Sequence, residues 1–242
     1  MLVAAAVCPC PPLLVPEVAA GAASELDGAR AACAEAMGVL AAARPDRLVV
    51  VGPADDPGRG AHPEGAHGSF RGFGVDLSVR LGRAVADAGP GVELPPSLAV
   101  GAWLLESTGR PDVPVEGLGV GEPLAAERCA EIGRDIAARA GRVALLVMGD
   151  ASACRTVKAP GYLDERAAPF DAAVARALGA ADTEALKALD VRLARELKAS
   201  GRAAWQVLAG AAEGAAEGAA LTGTLLYEDA PYGVGYVVAA WS

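Results

Sequence analysis

The stretch RVALLVMGD (142–150) is an apolar run closed by a Gly-Asp turn. It is too short for a buried helix and rich in aliphatic residues, so it reads as a strand buried on both faces. Working toward the N-terminus, apolar spacing predicts a helix over 123–139, a short strand over 113–120 and a helix over 98–107. RLVVVGP (47–53) is a second apolar strand, and residues 2–8 are a third. Between those two, Val18, Ala22, Leu26, Ala29, Cys33, Met37 and Leu40 fall three and four apart, which predicts one amphipathic helix from Glu17 to about Ala43. Arg44-Pro45-Asp46 ends it, so the chain opens as β-α-β with its two strands expected to pair in parallel.

On the C-terminal side, helical patterns fill 164–199 and strands are expected at 221–227 and 233–240. AGAAEGAAEGAA (209–220) has the composition of a linker, but Glu213 and Glu217 lie four apart, as do Gly210, Gly214 and Gly218. On a helix these make one acidic and one glycine face, and the residues that follow are too few for a domain. A helix pressed against the sheet is the expectation. The fold class is α/β: a single domain over 1–242, with a mixed central sheet and helices on both faces.

The 242 residues are 53% hydrophobic and 4% aromatic, so the core must be built from small aliphatic side chains packed closely. A net charge of −9 opposes binding to phosphate backbones and anionic membranes, so nucleic acid and membrane are not expected as partners. The uncharged start MLVAAAVCPCPPLLVP (1–16) lacks a basic region and is broken by prolines, which favours a buried strand and turn over a secretory signal. No run is long enough to span a membrane. Five cysteines, odd in number and irregularly spaced, do not form a disulfide framework, and a reduced cytoplasmic location is expected.

Ligands of open α/β sheets sit beyond the carboxyl ends of the strands. Three such ends carry polar or reactive residues: Cys8-Pro9-Cys10, then Gly52-Pro53-Ala54-Asp55-Asp56, then Gly149-Asp150-Ala151-Ser152-Ala153-Cys154-Arg155. If the strands are neighbours, Cys10, Asp55, Asp150 and Cys154 line a common pocket. Asp150 and Ser152 also suit the capping of a following turn. The Gly- and Pro-rich stretch 54–74, which holds both histidines, is long enough for a lid or pocket loop.

The runs CPCPPLLVPEV (8–18), VVVGPADD (49–56), LLVMGDASACRTVKAPGYLDERAAPFD (145–171), SGRAAWQVLAGAA (200–212) and LLYEDAPYGVGY (225–236) together resemble the class III extradiol ring-cleavage dioxygenase superfamily. This is the fold of the protocatechuate 4,5-dioxygenase β subunit and of the Memo proteins, and the resemblance holds its order over nearly the whole chain. It implies an α/β domain with a strand-end pocket that, in active members, holds Fe(II) on two histidines and a carboxylate, with a further histidine as acid/base. Such proteins often dimerise or pair with a second subunit, so a homodimer is among the expectations.

This chain departs from the pattern at the metal. Where the superfamily has histidine it has Cys10 in the first turn, Ala54 and Asp55 at the second strand end, and Ala153 after the GDxS motif. The cysteine that Memo-type members place before Gly-Arg is Ser200. His62 and His67, the two histidines present, lie five apart, away from the motif positions, and read as solvated loop residues.

Cysteine is the other route to chemistry. Cys33 and Cys129 fall on apolar helical stripes and are expected to be inert. Cys10 and Cys154 sit in turns, where Arg155 is expected to favour the Cys154 thiolate. Cys8 either joins them or packs inward. Arg155 and Lys158 form either a solvated turn or a seat for an anionic carboxylate.

Three functions follow. The first is a superfamily member without the Fe(II) site, with no cofactor, binding a small molecule or protein partner through Cys10, Asp55, Asp150, Ser152, Arg155 and Ser200. The second is a metal-dependent oxidoreductase with a non-standard Fe(II) or Zn site, where the Cys10 and Cys154 thiolates with Asp55 or Asp150 could bind zinc or copper rather than iron. The third is a metal-free enzyme using Cys10 or Cys154 as nucleophile; Cys10, Asp150 and Cys154 are the catalytic candidates.

Overall fold

The computed structural model describes residues 1–84, 92–109, 112–213 and 220–242. The chain opens with β1 (Leu2–Cys8) and α1 (Pro16–Ala19), then a 3-10 stretch (Ala20–Leu26) leads into α2 (Asp27–Ala42) and β2 (Arg47–Pro53). The expected single helix from Glu17 is therefore broken. Ala20 takes a left-handed φ of 48°, which a continuous helix cannot contain, and an alanine-rich stripe keeps its spacing across such a break.

The stretch read as a loop holds two short strands, β3 (Gly60–His62) and β4 (His67–Ser69), and a third, β5 (Ser78–Arg80), lies just beyond it. Next come α3 (Pro96–Thr108), β6 (Val115–Val120), α4 (Ala126–Ala137) and β7 (Val143–Met148). The helical region 164–199 resolves into α5 (Ala167–Gly179), α6 (Thr183–Lys187) and α7 (Val191–Glu196), with Asp182 and Asp190 capping the last two through their carboxylates. After these, α8 (Arg202–Glu213), β8 (Gly223–Asp229) and β9 (Tyr236–Trp241) complete the described elements. Glu213 ends α8, while Gly214, Glu217 and Gly218 lie outside the described residues.

Among the described residues, seven strands form one sheet in the order β3-β6-β2-β7-β1-β9-β8. β6, β2, β7 and β1 are parallel, while β9, β8 and β3 run antiparallel to their neighbours. The sheet is mixed, as expected, and strands from the two ends of the chain share it. The expected pairing of β1 with β2 is not made: β7 lies between them and bonds to both. It is apolar on both faces, which suits the centre of the sheet.

Alternation along the strands divides the core. Val49, Val51, Val143, Leu145 and Val147 face α4, α5 and α8, while Leu48, Val50, Ala144, Leu146 and Met148 face α2 and α3. Helices thus cover both faces. No described helix is long and apolar enough to cross a membrane.

Glycine sets the closest approaches. α4 and α8 cross where a side chain on Gly133 would meet Val207 O at 2.0 Å and one on Gly210 would meet Ala130 O at 2.0 Å. A Cβ on Gly149 would lie 2.4 Å from Gly201 Cα, so the end of β7 and the entry to α8 touch backbone to backbone.

Candidate functional site

The parallel strands end on one side of the sheet, and a cleft of about 920 Å³ opens there. Each strand end is fixed by its neighbour. Gly149 N–H donates to Cys8 O at 3.0 Å, and Ala54 N–H to Val120 O at 2.8 Å. The Ser97 hydroxyl on α3 donates to Pro53 O at 2.6 Å. The entry to α8 is tied down as well, because Ser200 and Gly201 N–H groups both donate to Asp150 O, at 3.1 and 3.0 Å.

Of the residues expected to meet, Cys10, Asp55, Asp150 and Ser200 line this cleft. Asp150 Oδ1 accepts the Cys10 N–H at 2.8 Å. Enclosure by protein pushes the Asp150 carboxyl up to about 7, against the pull of the Cys10 N–H and thiol. Burial pushes the Cys10 thiol well above its ordinary range, and the charges of Asp150 and Glu122 push it further. A thiol so placed is a weak hydrogen-bond donor rather than a nucleophile.

Cys154, Ser152 and Arg155 do not reach the cleft. Residues 151–155 are laced between two segments: Ala153 N–H donates to Leu197 O at 2.9 Å, and Arg155 N–H to Gly233 O at 3.0 Å. Ser152 is fully buried, and its N–H and hydroxyl donate to the Asp171 carboxylate at 2.8 and 2.9 Å. Arg155 Nη1 donates to the same carboxylate at 3.0 Å, so its charge serves Asp171 and not a thiol.

The Cys154 side chain is 1% exposed and faces Leu197 O, with its pKa raised by burial. The expectation of an exposed, activated thiol is corrected on both counts. Cys8 is a core residue, its thiol raised by the hydrogen bond with Cys33 and by burial. All five cysteines are buried. Brief iodoacetamide treatment of native protein should therefore leave Cys8, Cys33, Cys129 and Cys154 unmodified by peptide mapping, with Cys10 at the cleft reacting first and slowly. Rapid labelling of Cys154 would contradict this placement.

The histidines also depart from expectation in part. His67 is exposed on β4, but His62 is 4% exposed on β3, where its Nε2 hydrogen-bonds Gly58 O at 2.8 Å. Pairing of β3 with β6 turns the ring inward.

The Fe(II) triad implied by the resemblance does not fit these residues. Ala54 and Ala153 offer no ligating atom, and both histidines lie on the β3 and β4 strands rather than at the turns. Among the described residues no group of three His, Cys, Asp or Glu converges on a point where a metal ion would sit. A zinc site on Cys10, Cys154, Asp55 and Asp150 loses Cys154 to the core.

Two groups at the cleft escaped the sequence reading. Glu122, in the turn after β6, lines it, and burial pushes its carboxyl up to about 7 although Arg202 and the Ala203 N–H pull it down. Arg202 stands behind Glu122 and is fully buried. The signal was present: Arg202 and Gln206 are a polar pair four apart inside an otherwise apolar helical run. Arg195 and Lys198 add positive charge to one wall, while Phe73, Pro57 and Pro95 make an apolar wall.

No family model matches the chain, and no curated protein matches it. Among solved structures, it is similar to the crystal structure of an uncharacterized protein, JW3007, from Escherichia coli K12. The identity is 15% and the TM-score 0.51, over 99% of this chain and 100% of that one. At that identity the likeness concerns the fold: the same α/β architecture runs from end to end of both chains.

Proposed function

We propose that the chain is a divergent member of the class III extradiol dioxygenase superfamily that has kept the strand-end cleft and lost the Fe(II) triad, and that the cleft now binds a small molecule. The observation that carries this reading is the content of the three turns. They hold Cys10, Ala54 with Asp55, and Ala153, where the superfamily pattern has histidine, yet Cys10, Ala54, Asp55 and Asp150 of these turns line one cleft, with Ala153 outside it. A concave space of about 920 Å³ with mixed polar and apolar walls suits a small organic ligand better than a protein surface. The cysteine-enzyme alternative is weakened by the core position of Cys154 and the raised Cys10 thiol.

Elemental analysis of protein purified without chelators tests the loss of the triad. We expect less than about one-tenth equivalent of iron, because two imidazole ligands and a carboxylate are needed to hold it. Stoichiometric iron would overturn the reading. A small-molecule screen read by amide NMR should give hits whose shifts cluster at 53–58, 149–150 and 198–201, and hits confined to other surfaces would count against the cleft.

A further inference from the structure

Helix α8 begins at Arg202, two residues after Ser200 of the cleft lining, and Arg202 lies behind Glu122, which lines the cleft. The Arg202 side chain is 0% exposed, and one edge of its guanidinium is locked in place. Nη1 donates to Leu124 O and to Gln206 Oε1, both at 2.7 Å. Gln206 is held in turn by Lys187 O at 3.1 Å and Leu189 O at 3.2 Å.

The other edge, Nε and Nη2, is equally buried and among the described residues finds no hydrogen-bond acceptor. These two N–H groups form the parallel fork that matches a carboxylate. Facing it is Glu122, whose Oε2 lies 3.7 Å from Nε, within ion-pair range but too far for a hydrogen bond. Glu122 Oε1 is buried and has no hydrogen-bond partner among the described residues either. Unpaired buried donors and acceptors are rare, and an unpaired buried cation is costly. The contact between Glu122 and Arg202 is thus a loose occupation of a well-built receptor.

We propose that Arg202 and the first turn of α8 form a carboxylate-binding subsite behind the cleft wall, plugged by the Glu122 side chain and opened to the cleft when a ligand carboxylate displaces it. The Ala203 N–H, in the first turn of α8, pulls the Glu122 carboxyl down from its raised value and is a third donor for the same anion. Glu122 lines the cleft, so its displacement connects Arg202 with the cleft space. Arg195 and Lys198 on the wall favour the approach of an anion, and Phe73, Pro57 and Pro95 offer an apolar surface to the body of the ligand. The ligand class is an organic carboxylate with an apolar body.

The groups facing Glu122 set the pH dependence. They are Arg202 and the Ala203 N–H behind it, the Cys10 thiol, and Cys129, whose sulfur lies 3.9 Å from Arg202 Nη1, while Asp150 lines the same cleft. Protonation of Glu122 loosens the plug, and protonation of Asp150 removes a repulsion, so the wild-type protein binds carboxylates more tightly as pH falls from about 8 to about 6.

This inference rests on the cleft being the ligand site, and its test separates the two. The probes are hexanoate and its uncharged analogue hexanamide, titrated by calorimetry into wild type and Glu122→Gln at about pH 8. Glu122→Gln should bind hexanoate about tenfold tighter than wild type, with hexanamide unchanged and most of the pH dependence gone. Adding Arg202→Lys, which keeps the charge and removes the fork, should abolish the gain. If that variant fails to fold, the Arg202 Nε NMR signal of Glu122→Gln serves instead and should move on adding hexanoate. Equal hexanoate affinity in wild type and Glu122→Gln, or an Nε signal that stays still, overturns the subsite. Tighter binding of inorganic phosphate than of hexanoate overturns its assignment to carboxylates. Stoichiometric iron would overturn the loss of the triad and leave this measurement unaffected.

Discussion

Gly210→Ala lowers the stability of the protein by about 3 kcal/mol, at the upper end of the range for an overpacked interior. The added Cβ would stand 2.0 Å from Ala130 O, 2.5 Å from Ala130 Cα and 2.6 Å from Ala130 C. All three are backbone atoms, so no rotamer change makes room and the two helices must separate. Gly133→Ala meets the mirror problem, 2.0 Å from Val207 O and 2.5 Å from the Ala211 nitrogen. Separation costs more than this contact, because Val207, Leu208 and Ala211 of α8 fill the core on that face of the sheet.

Gly38→Ala is the control. Gly38 lies inside α2, with no described residue within 4 Å of the new Cβ, so alanine adds helix propensity without a clash and stabilises by up to about 1 kcal/mol. Urea denaturation with a common slope compares the three. A Gly210→Ala midpoint equal to that of wild type would show that the α4–α8 crossing is looser than described.

That crossing marks how far the sequence could be read. The three central strands were legible because each is an apolar run flanked by glycine or proline, and the observed bounds of β1 and β2 match the expected ones. Strand order was not legible: the insertion of β7 between β1 and β2 is decided by contacts between residues about a hundred positions apart. The helices suffered from alanine. A stripe of alanines keeps its spacing whether the helix is continuous or broken at Ala20, and the residue that breaks it looks like the rest.

The site divides in the same way. Cys10, Asp55 and Asp150 line the cleft because each stands two residues beyond a strand whose end could be read, and Ser200, singled out through the resemblance, lines it because its N–H bonds to the Asp150 backbone. Two or more residues further on, the reading failed. Ser152, Cys154 and Arg155 looked exposed in a polar turn, but their neighbours are Leu197, Gly233 and Asp171, remote in sequence and invisible to local spacing. Glu122 and Arg202 gain their meaning only together, and they stand on separate elements joined by no motif.

A second large effect concerns protons. The stability of the wild type falls as pH rises from about 4 to about 7, and Asp150→Asn removes part of that fall. The Asp150 carboxyl moves from 3.8 to about 7 on folding, and that of Glu122 from 4.5 to about 7, in each case chiefly through burial. Below the unfolded values both states hold the proton and neither group contributes. Between the unfolded and folded values the native protein keeps a proton that the unfolded chain has released, so raising the pH opposes folding. Above about 7 the whole penalty is present. At 1.4 kcal/mol for each tenfold change in proton affinity, the Asp150 penalty has a ceiling of roughly 4 kcal/mol, and water in the cleft reduces it to about 2 kcal/mol.

Asp171, raised by burial, acts in the same direction. Asp164, Glu131, Glu196 and Glu213, held low by their arginine and lysine partners, act in the opposite direction and at lower pH, where stability is lost as they protonate. Asp150→Asn retains an oxygen to accept the Cys10 N–H and carries no charge. We expect urea denaturation to show it about 2 kcal/mol more stable than wild type at about pH 8 and equal to it at about pH 4. Parallel pH profiles for the two proteins would mean that Asp150 ionises as an ordinary carboxylate. The expected gain would mean that the native chain gives up stability to keep an ionisable carboxyl on the cleft floor, a trade found where a residue serves a site rather than the fold.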